Sequence, residues 1–305
     1  MISFKNTFRI ENIRSDLTMK VEEIISKGLI SQVKDINVLG IDIGSRGAKA
    51  VLIYNGDIYT AITATGVRSQ DTANVLLKKI ISKSGIQKKD LAYIVGTGYG
   101  RIAFDFKGIP REIITEISCH AMGSHFLNEG TKTIIDIGGQ DSKAIKVEPE
   151  TGKVIEFIMN DKCAAGTGRF LEKVAGLLDY SLDELGTESL KSTKEISLSS
   201  QCVVFAESEI ISLKARGEKR EDIAAGIHFA TARRVRNLVK RLGLEPELVF
   251  SGGVSNNPGM KYALEKLIGH KIKTTKLDMV YAGCLGAAIY AQKYYLGKVN
   301  KEQAV

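Results

Sequence analysis

Residues 41–53 (IDIGSRGAKAVLI) and residues 135–147 (IDIGGQDSKAIKV) align without a gap and share Ile, Asp, Ile, Gly, Lys and Ala at matching positions. Each copy reads as an apolar strand ending in Asp-x-Gly, a short polar turn and a second β-prone run. A repeat at this spacing predicts two related halves facing each other. A glycine-bearing turn lets backbone amides approach an anion closely, and successive amides form an anion-binding nest. Two such turns across a cleft make a phosphate clamp. Asp42 and Asp136 are placed to hold Mg²⁺ through water, because Mg²⁺ takes oxygen ligands and keeps much of its hydration. One copy alone reads equally well as a tight hairpin turn. Two copies with matched Asp and Gly favour nucleotide binding.

The 305 residues suffice for two domains of ordinary size, and the 44% hydrophobic content is that of a globular chain. No apolar run approaches the ~20 residues of a membrane helix, and the N-terminus lacks a secretory apolar stretch. A cytoplasmic protein without a membrane partner is therefore expected. The net charge of +8 suits acidic partners or nucleic acid. Aromatics are only 7%, Trp is absent, and no basic stretch is interleaved with aromatics that would stack bases. Docking onto an acidic protein is the better reading, with no nucleic acid.

Residues 1–37 read as an N-terminal extension, an arm packed on the body with a helix around 16–30. The first lobe is expected over 38–133. It has a strand pair at 38–53 continued by 57–63, then a helix N-capped by Asp71, whose stripe Leu76, Leu77, Ile80 and Ile81 stops near Gly85. A strand at 91–96 runs into a glycine turn (TGYGR, Thr97 to Arg101), and a helix follows around 114–127. The second lobe, 134–281, opens with the strand 133–138 and a strand pair to about 158. Two helices follow, each introduced by a cysteine-bearing loop, then a long helix over 221–242. The small-residue segment 282–305 is expected to form a helix folding back on the first lobe. This order is that of an α/β fold with two similar lobes that can hinge.

A further glycine turn, SGGVSNN (Ser251 to Asn257), follows the apolar strand Leu248 to Gly253 and precedes a helix; AGTG (Ala165 to Gly168) is another. Glycine turns converging at strand ends are where α/β ligands bind. Neither GxxxxGK[ST] nor GxGxxG occurs, which excludes a P-loop NTPase and argues against NAD. Duplicated Asp-x-Gly turns with a late Gly-Gly turn resemble the superfamily of actin, the heat-shock 70 ATPase and the sugar and acetate kinases. That resemblance implies two ribonuclease-H-like lobes with ATP and Mg²⁺ in the cleft.

Of the four cysteines, Cys119 and Cys284 lie in apolar helical stretches, whereas Cys163 and Cys202 each stand just before an expected helix. Helix N-termini carry unpaired N–H groups and a positive dipole end, which favour a thiolate or an anionic cluster. No CxxC is present, so a zinc ribbon or thioredoxin motif is excluded. Two scattered cysteines are usually small buried hydrophobes. On a dimer axis, however, two per chain supply the four thiolates of a 4Fe–4S cluster.

NDKCAAGTGRF, SSQCVVFAESE, DIGGQD, TGYGR, CHAMG and SGGVSNN together resemble the activators of 2-hydroxyacyl-CoA dehydratases. The same family includes the ATPase subunits of benzoyl-CoA reductase and the reductases of double-cubane cluster proteins. The similarity covers residues 38 to about 293. It implies one 4Fe–4S cluster per homodimer, held by Cys163 and Cys202 of each chain. It also implies ATP hydrolysis that drives one electron onto an iron–sulfur dehydratase or reductase, with ferredoxin or flavodoxin as donor. Carried onto this chain, Gly44, Ser45, Arg46, Gly47, Gly138, Gly139 and Gln140 grip the phosphates. Asp42 and Asp136 orient hydrated Mg²⁺, and Gln140 or Asp141 places the attacking water. Gly252, Gly253 and Val254 line the adenosine side of ATP or ADP, with Gly166, Thr167, Gly168 and Glu207 beside them.

The chain departs from the family twice. Many members have Gly-Ser-Thr in the first phosphate turn, where this chain has Gly44-Ser45-Arg46, a guanidinium in place of a hydroxyl. The arm of about 37 residues is extra. Two rival functions fit the superfamily: a small-molecule kinase acting on a sugar or acid, and a non-redox nucleotide switch.

Overall fold

The computed structural model describes residues 17–198 and 203–303, in two units. In chain order the strands are β1 (Thr18–Lys20), β2 (Val38–Ile43), β3 (Gly47–Tyr54), β4 (Asp57–Ala64), β5 (Tyr93–Thr97), β6 (Arg111–Ile113), β7 (Thr133–Ile137), β8 (Ser142–Val147), β9 (Val154–Asn160) and β10 (Leu248–Ser251). The helices are α1 (Val21–Ile24), α2 (Ser69–Ser84), α3 (Glu116–Leu127), α4 (Gly168–Leu177), α5 (Leu182–Ser189), α6 (Val203–Ala215), α7 (Arg220–Leu242), α8 (Pro258–Ile268) and α9 (Ala282–Gln303). No helix among the described residues is long and apolar enough to cross a membrane.

The first unit takes in the described residues up to 132, residues 147–155 and the described residues from 274 on. Its sheet runs β1-β4-β3-β2-β5-β6. β2 is buried at all six positions, as a central strand covered on both faces must be. Leu76, Leu77 and Ile80 of α2 pack on the sheet through Leu39, Ile41 and Leu52, each contributing roughly 1.5–3 kcal/mol by burial. The helix stops at Gly85, whose φ of +74° provides the left-handed cap. It starts at Ser69, so Asp71 is not the N-cap. Asp71 instead lies in the first turn and pairs with Arg68 at 2.8 Å, where its charge still complements the helix dipole.

The arm corrects a second expectation. The described part of the helix expected around 16–30 is not one helix: β1 adds an antiparallel edge strand, Thr18 opposite Tyr59, and α1 is a single turn. The following 3-10 turn, Lys27–Gln32, buries Leu29, and Gln292 of α9 holds it by donating to Gln32 O at 2.7 Å. The pairing of β1 is non-local, so no short-range periodicity announces it.

α9 lies on β2 and α3 with almost nothing between the backbones. A Cβ on Gly286 would stand 1.9 Å from Cys119 O, and one on Gly123 1.9 Å from Ala282 O. Neither backbone can give, so Gly286→Val is expected to cost this unit about 3 kcal/mol. A urea midpoint unchanged from wild type would contradict this.

The second unit takes in 133–146 and the described residues of 156–273. Its sheet runs β10-β7-β8-β9, with β10 parallel and β8 antiparallel to β7. Its core joins Ile135 and Ile137 to Leu171, Val174, Ile227, Val235 and Leu264 from the helices. α5, absent from the sequence reading, begins with a complete capping box in which Ser181 and Glu184 cap one another. The SLDE spacing was the readable signal for it.

His228 is buried in α7, with Nδ1 2.8 Å from Ala224 O, and burial pushes its imidazole down to about 4. The unfolded chain protonates near pH 6.5, before the folded one, so stability is whole above about pH 6.5. It is then lost progressively as the pH falls to about 4, by roughly 3 kcal/mol in all. Urea unfolding from pH 7 to 4 should show this loss, and His228→Gln should flatten it. An equal loss in both proteins would contradict the assignment.

Candidate functional site

Each unit builds the same three-strand arrangement around an aspartate. Register places Asp42 opposite Lys49 on the antiparallel neighbour and opposite Thr97 on the parallel one. Asp136 stands opposite Lys143 and Ser251 in the same way. A glycine of positive φ follows each hydroxyl residue, Gly98 at +82° and Gly252 at +87°. A Cβ would come 2.4 Å from Asp42 Oδ1 at position 98 and 2.6 Å from Asp136 Oδ1 at position 252. Only glycine lets the chain turn against the carboxylate. The repeat therefore extends beyond the hairpin to Thr97-Gly98 and Ser251-Gly252, a match the sequence reading missed although both dipeptides stood inside quoted motifs.

Both lysines of the repeat are functional candidates that the sequence reading passed over. Lys49 Nζ lies 3.3 Å from Asp42 Oδ2. Burial pushes the Lys49 ammonium down, but the groups around it, Asp42 foremost, together more than offset this and its pKa is raised. Lys143 Nζ sits 3.1 Å from Asp136 Oδ2 and 2.8 Å from Asp141 Oδ2. Asp136 Oδ1 also accepts from Ser251 Oγ at 2.9 Å.

In the first unit, Thr65 shapes the Gly44–Gly47 turn, donating from Oγ1 to Gly44 O at 2.7 Å and from N to Arg46 O at 3.0 Å. Ser45 is half-buried and Arg46 exposed. In the second unit, Gly138 N donates to Asp141 O at 3.0 Å to close the turn. Gln140 at its tip is exposed, whereas Asp141 is buried on Lys143. Val254 N donates to Ile137 O at 3.2 Å. Gly253 is exposed, with no atom within 4 Å of where a Cβ would be, an open backbone face for a ligand.

The cysteine loop is joined to this turn. The first two amides of α4, on Gly168 and Arg169, donate to Gly138 O and Gly139 O, both at 2.9 Å. They are spent on the Gly138–Gly139 turn rather than directed at Cys163, five residues upstream of the helix. Asn160 Nδ2 donates to Cys163 O at 2.9 Å and Thr167 Oγ1 to Ala164 O at 2.7 Å, pinning the loop. Gly166, at φ +105°, lies against Arg234 of α7. Cys163 itself is half-exposed. Cys119 and Cys284 are fully buried. Burial pushes the Cys119 thiol up to about 12 and that of Cys284 well above its usual range, so neither is fit to be a thiolate ligand. Cys202 lies outside the described residues. The helix after it, α6, carries Glu207 in an ion pair with Lys173 of α4.

The profile of the BadF/BadG/BcrA/BcrD ATPase family matches residues 39–291. The chain is 43% identical over 254 residues to the 2-hydroxyisocaproyl-CoA dehydratase activator of Clostridioides difficile, covering 83% of this chain and 94% of that protein. It is also 43% identical over 260 residues to the (R)-2-hydroxyglutaryl-CoA dehydratase activating ATPase of Acidaminococcus fermentans, covering 85% of this chain and 98% of that protein. The solved structure of the activator of the 2-hydroxyisocaproyl-CoA dehydratase from Clostridium difficile with bound ADPNP superposes with a TM-score of 0.81 at 41% identity. That superposition covers 87% of this chain and 98% of that one.

Proposed function

The chain belongs to the BadF/BadG/BcrA/BcrD ATPase family, and from that premise we propose that it is an ATP-dependent one-electron reductase acting on an iron–sulfur dehydratase or reductase. Its architecture is that of the actin, heat-shock 70 and sugar kinase superfamily. In this proposal it works as a homodimer, receives its electron from ferredoxin or flavodoxin, and passes it on at the expense of ATP.

The observation that carries the proposal is the direct bond between the Gly138–Gly139 turn and the start of α4, the helix led in by the cysteine loop. Amides and side chains of Ser45, Arg46, Gly47, Gly138, Gly139 and Gln140 take the phosphates. Asp42 and Asp136 would hold hydrated Mg²⁺, which would neutralise phosphate charge. Gln140, exposed at the turn's tip, positions the attacking water, while Gly252, Gly253, Val254 and Glu207 take the adenosine side. A change at the phosphate turn shifts the two carbonyls to which α4 is tied, and α4 carries it to Cys163. The Lys173–Glu207 pair extends it to α6. Cys163 and Cys202 of both chains would hold the 4Fe–4S cluster, which would supply a low-potential one-electron carrier when bound.

Anaerobic preparation tests this. A brown dimer with about four irons per two chains is expected. Colourless protein after anaerobic reconstitution, releasing ADP only when a sugar or acid is added, would select the kinase reading instead.

A further inference from the structure

Lys143 does more than balance one carboxylate. Its Nζ touches both Asp136 (3.1 Å) and Asp141 (2.8 Å), and the three side chains are only 1–3% exposed. Lys49, its counterpart in the repeat, meets Asp42. Two buried carboxylates converging on one point are an oxygen ligand set for a divalent cation. Here an ammonium occupies that point. Replacing this lysine by a neutral side chain would leave the two carboxylates without the cation that joins them.

Such a buried triad is a poor device for stability. Desolvating three charges costs about as much as their attraction returns, and apolar replacements are often as stable. β8 nonetheless holds Lys143 directly across from Asp136, beneath the turn whose carbonyls receive α4. We propose that Lys143 is a positioning residue that acts as a resident cation. It keeps free divalent metal out of the Asp136–Asp141 pair, so that the metal arrives only with its nucleotide, and it holds Asp136 aimed at the incoming hydration shell. This rests on the nucleotide reading of the same turn.

The test uses the EPR signal of free aqueous Mn²⁺, with the cluster oxidised. Without nucleotide, wild type and Lys143→Arg should leave Mn²⁺ free, whereas Lys143→Met should take up Mn²⁺ at least about tenfold more tightly. Asp141→Asn changes the charge the other way and should weaken Mn·ADP binding by about tenfold. The proposal is overturned if a folded Lys143→Met leaves Mn²⁺ free, or if Lys143→Arg behaves like Lys143→Met. If Lys143→Met does not fold, Asp141→Asn decides, and unchanged Mn·ADP binding overturns it. Failure of wild type to bind Mn·ADP would sink the nucleotide reading instead, and the nucleotide-free comparison would still judge Lys143.

Discussion

Cys163→Ala, alone or with Cys202→Ala, is expected to empty the dimer of iron and abolish electron delivery while ATP hydrolysis stays within a few-fold of wild type. Other cysteines cannot take over. Cys119 and Cys284 are fully buried, and with the Cys119 thiol near 12 only about one molecule in 10⁵ is ionised at pH 7. The protein should fold normally, because the loop is held by Asn160, Thr167 and the α4 amides rather than by the thiol. Iron analysis and visible absorbance after anaerobic reconstitution check the first part, and an ADP-release assay the second. Retention of about four irons per two chains in the double variant would remove the redox proposal and leave only an ATP hydrolase.

Asp136→Asn is expected to lower the rate of ATP hydrolysis by roughly 10²–10³, the usual effect of removing one preorganised charge from a polar transition state. The substitution keeps the shape of the side chain and the hydroxyl contact from Ser251 (2.9 Å). Lys143 keeps Asp141 at 2.8 Å, so no charge is orphaned. Asp42→Asn is the less clean experiment. It strips Lys49, buried at 10% side-chain exposure, of its carboxylate partner, and breaking a buried pair in this way costs about 3–5 kcal/mol. Falling activity there would mix unfolding with chemistry. Asp136→Asn should instead lose rate with little change in urea midpoint. A folded Asp136→Asn protein hydrolysing ATP at the wild-type rate would contradict the role given to Asp136.

The features legible in the sequence are local ones. The Asp-x-Gly hairpins, the α2 stripe and the long α7 follow from period and turn chemistry, and they appear within a few residues of where those rules put them. The missed features depend on distant partners. β1 pairs with a strand about forty residues on. β6 spans only three residues and is recognised by its parallel partner β5. The lysines of the repeat were visible as shared letters. Their meaning came only with register, which sets each directly across from its aspartate. Likewise, the helix end expected to serve Cys163 spends its amides on the Gly138–Gly139 turn, a connection that spacing along the chain does not encode.

The link from phosphate turn to cysteine loop is tested most directly by following oxidation of the dithionite-reduced dimer by an acceptor, with ATP, with ADP or with no nucleotide. Rapid oxidation with ATP alone, lost in Asp136→Asn while its iron is retained, is the predicted result. Oxidation at one rate under all three conditions would contradict it.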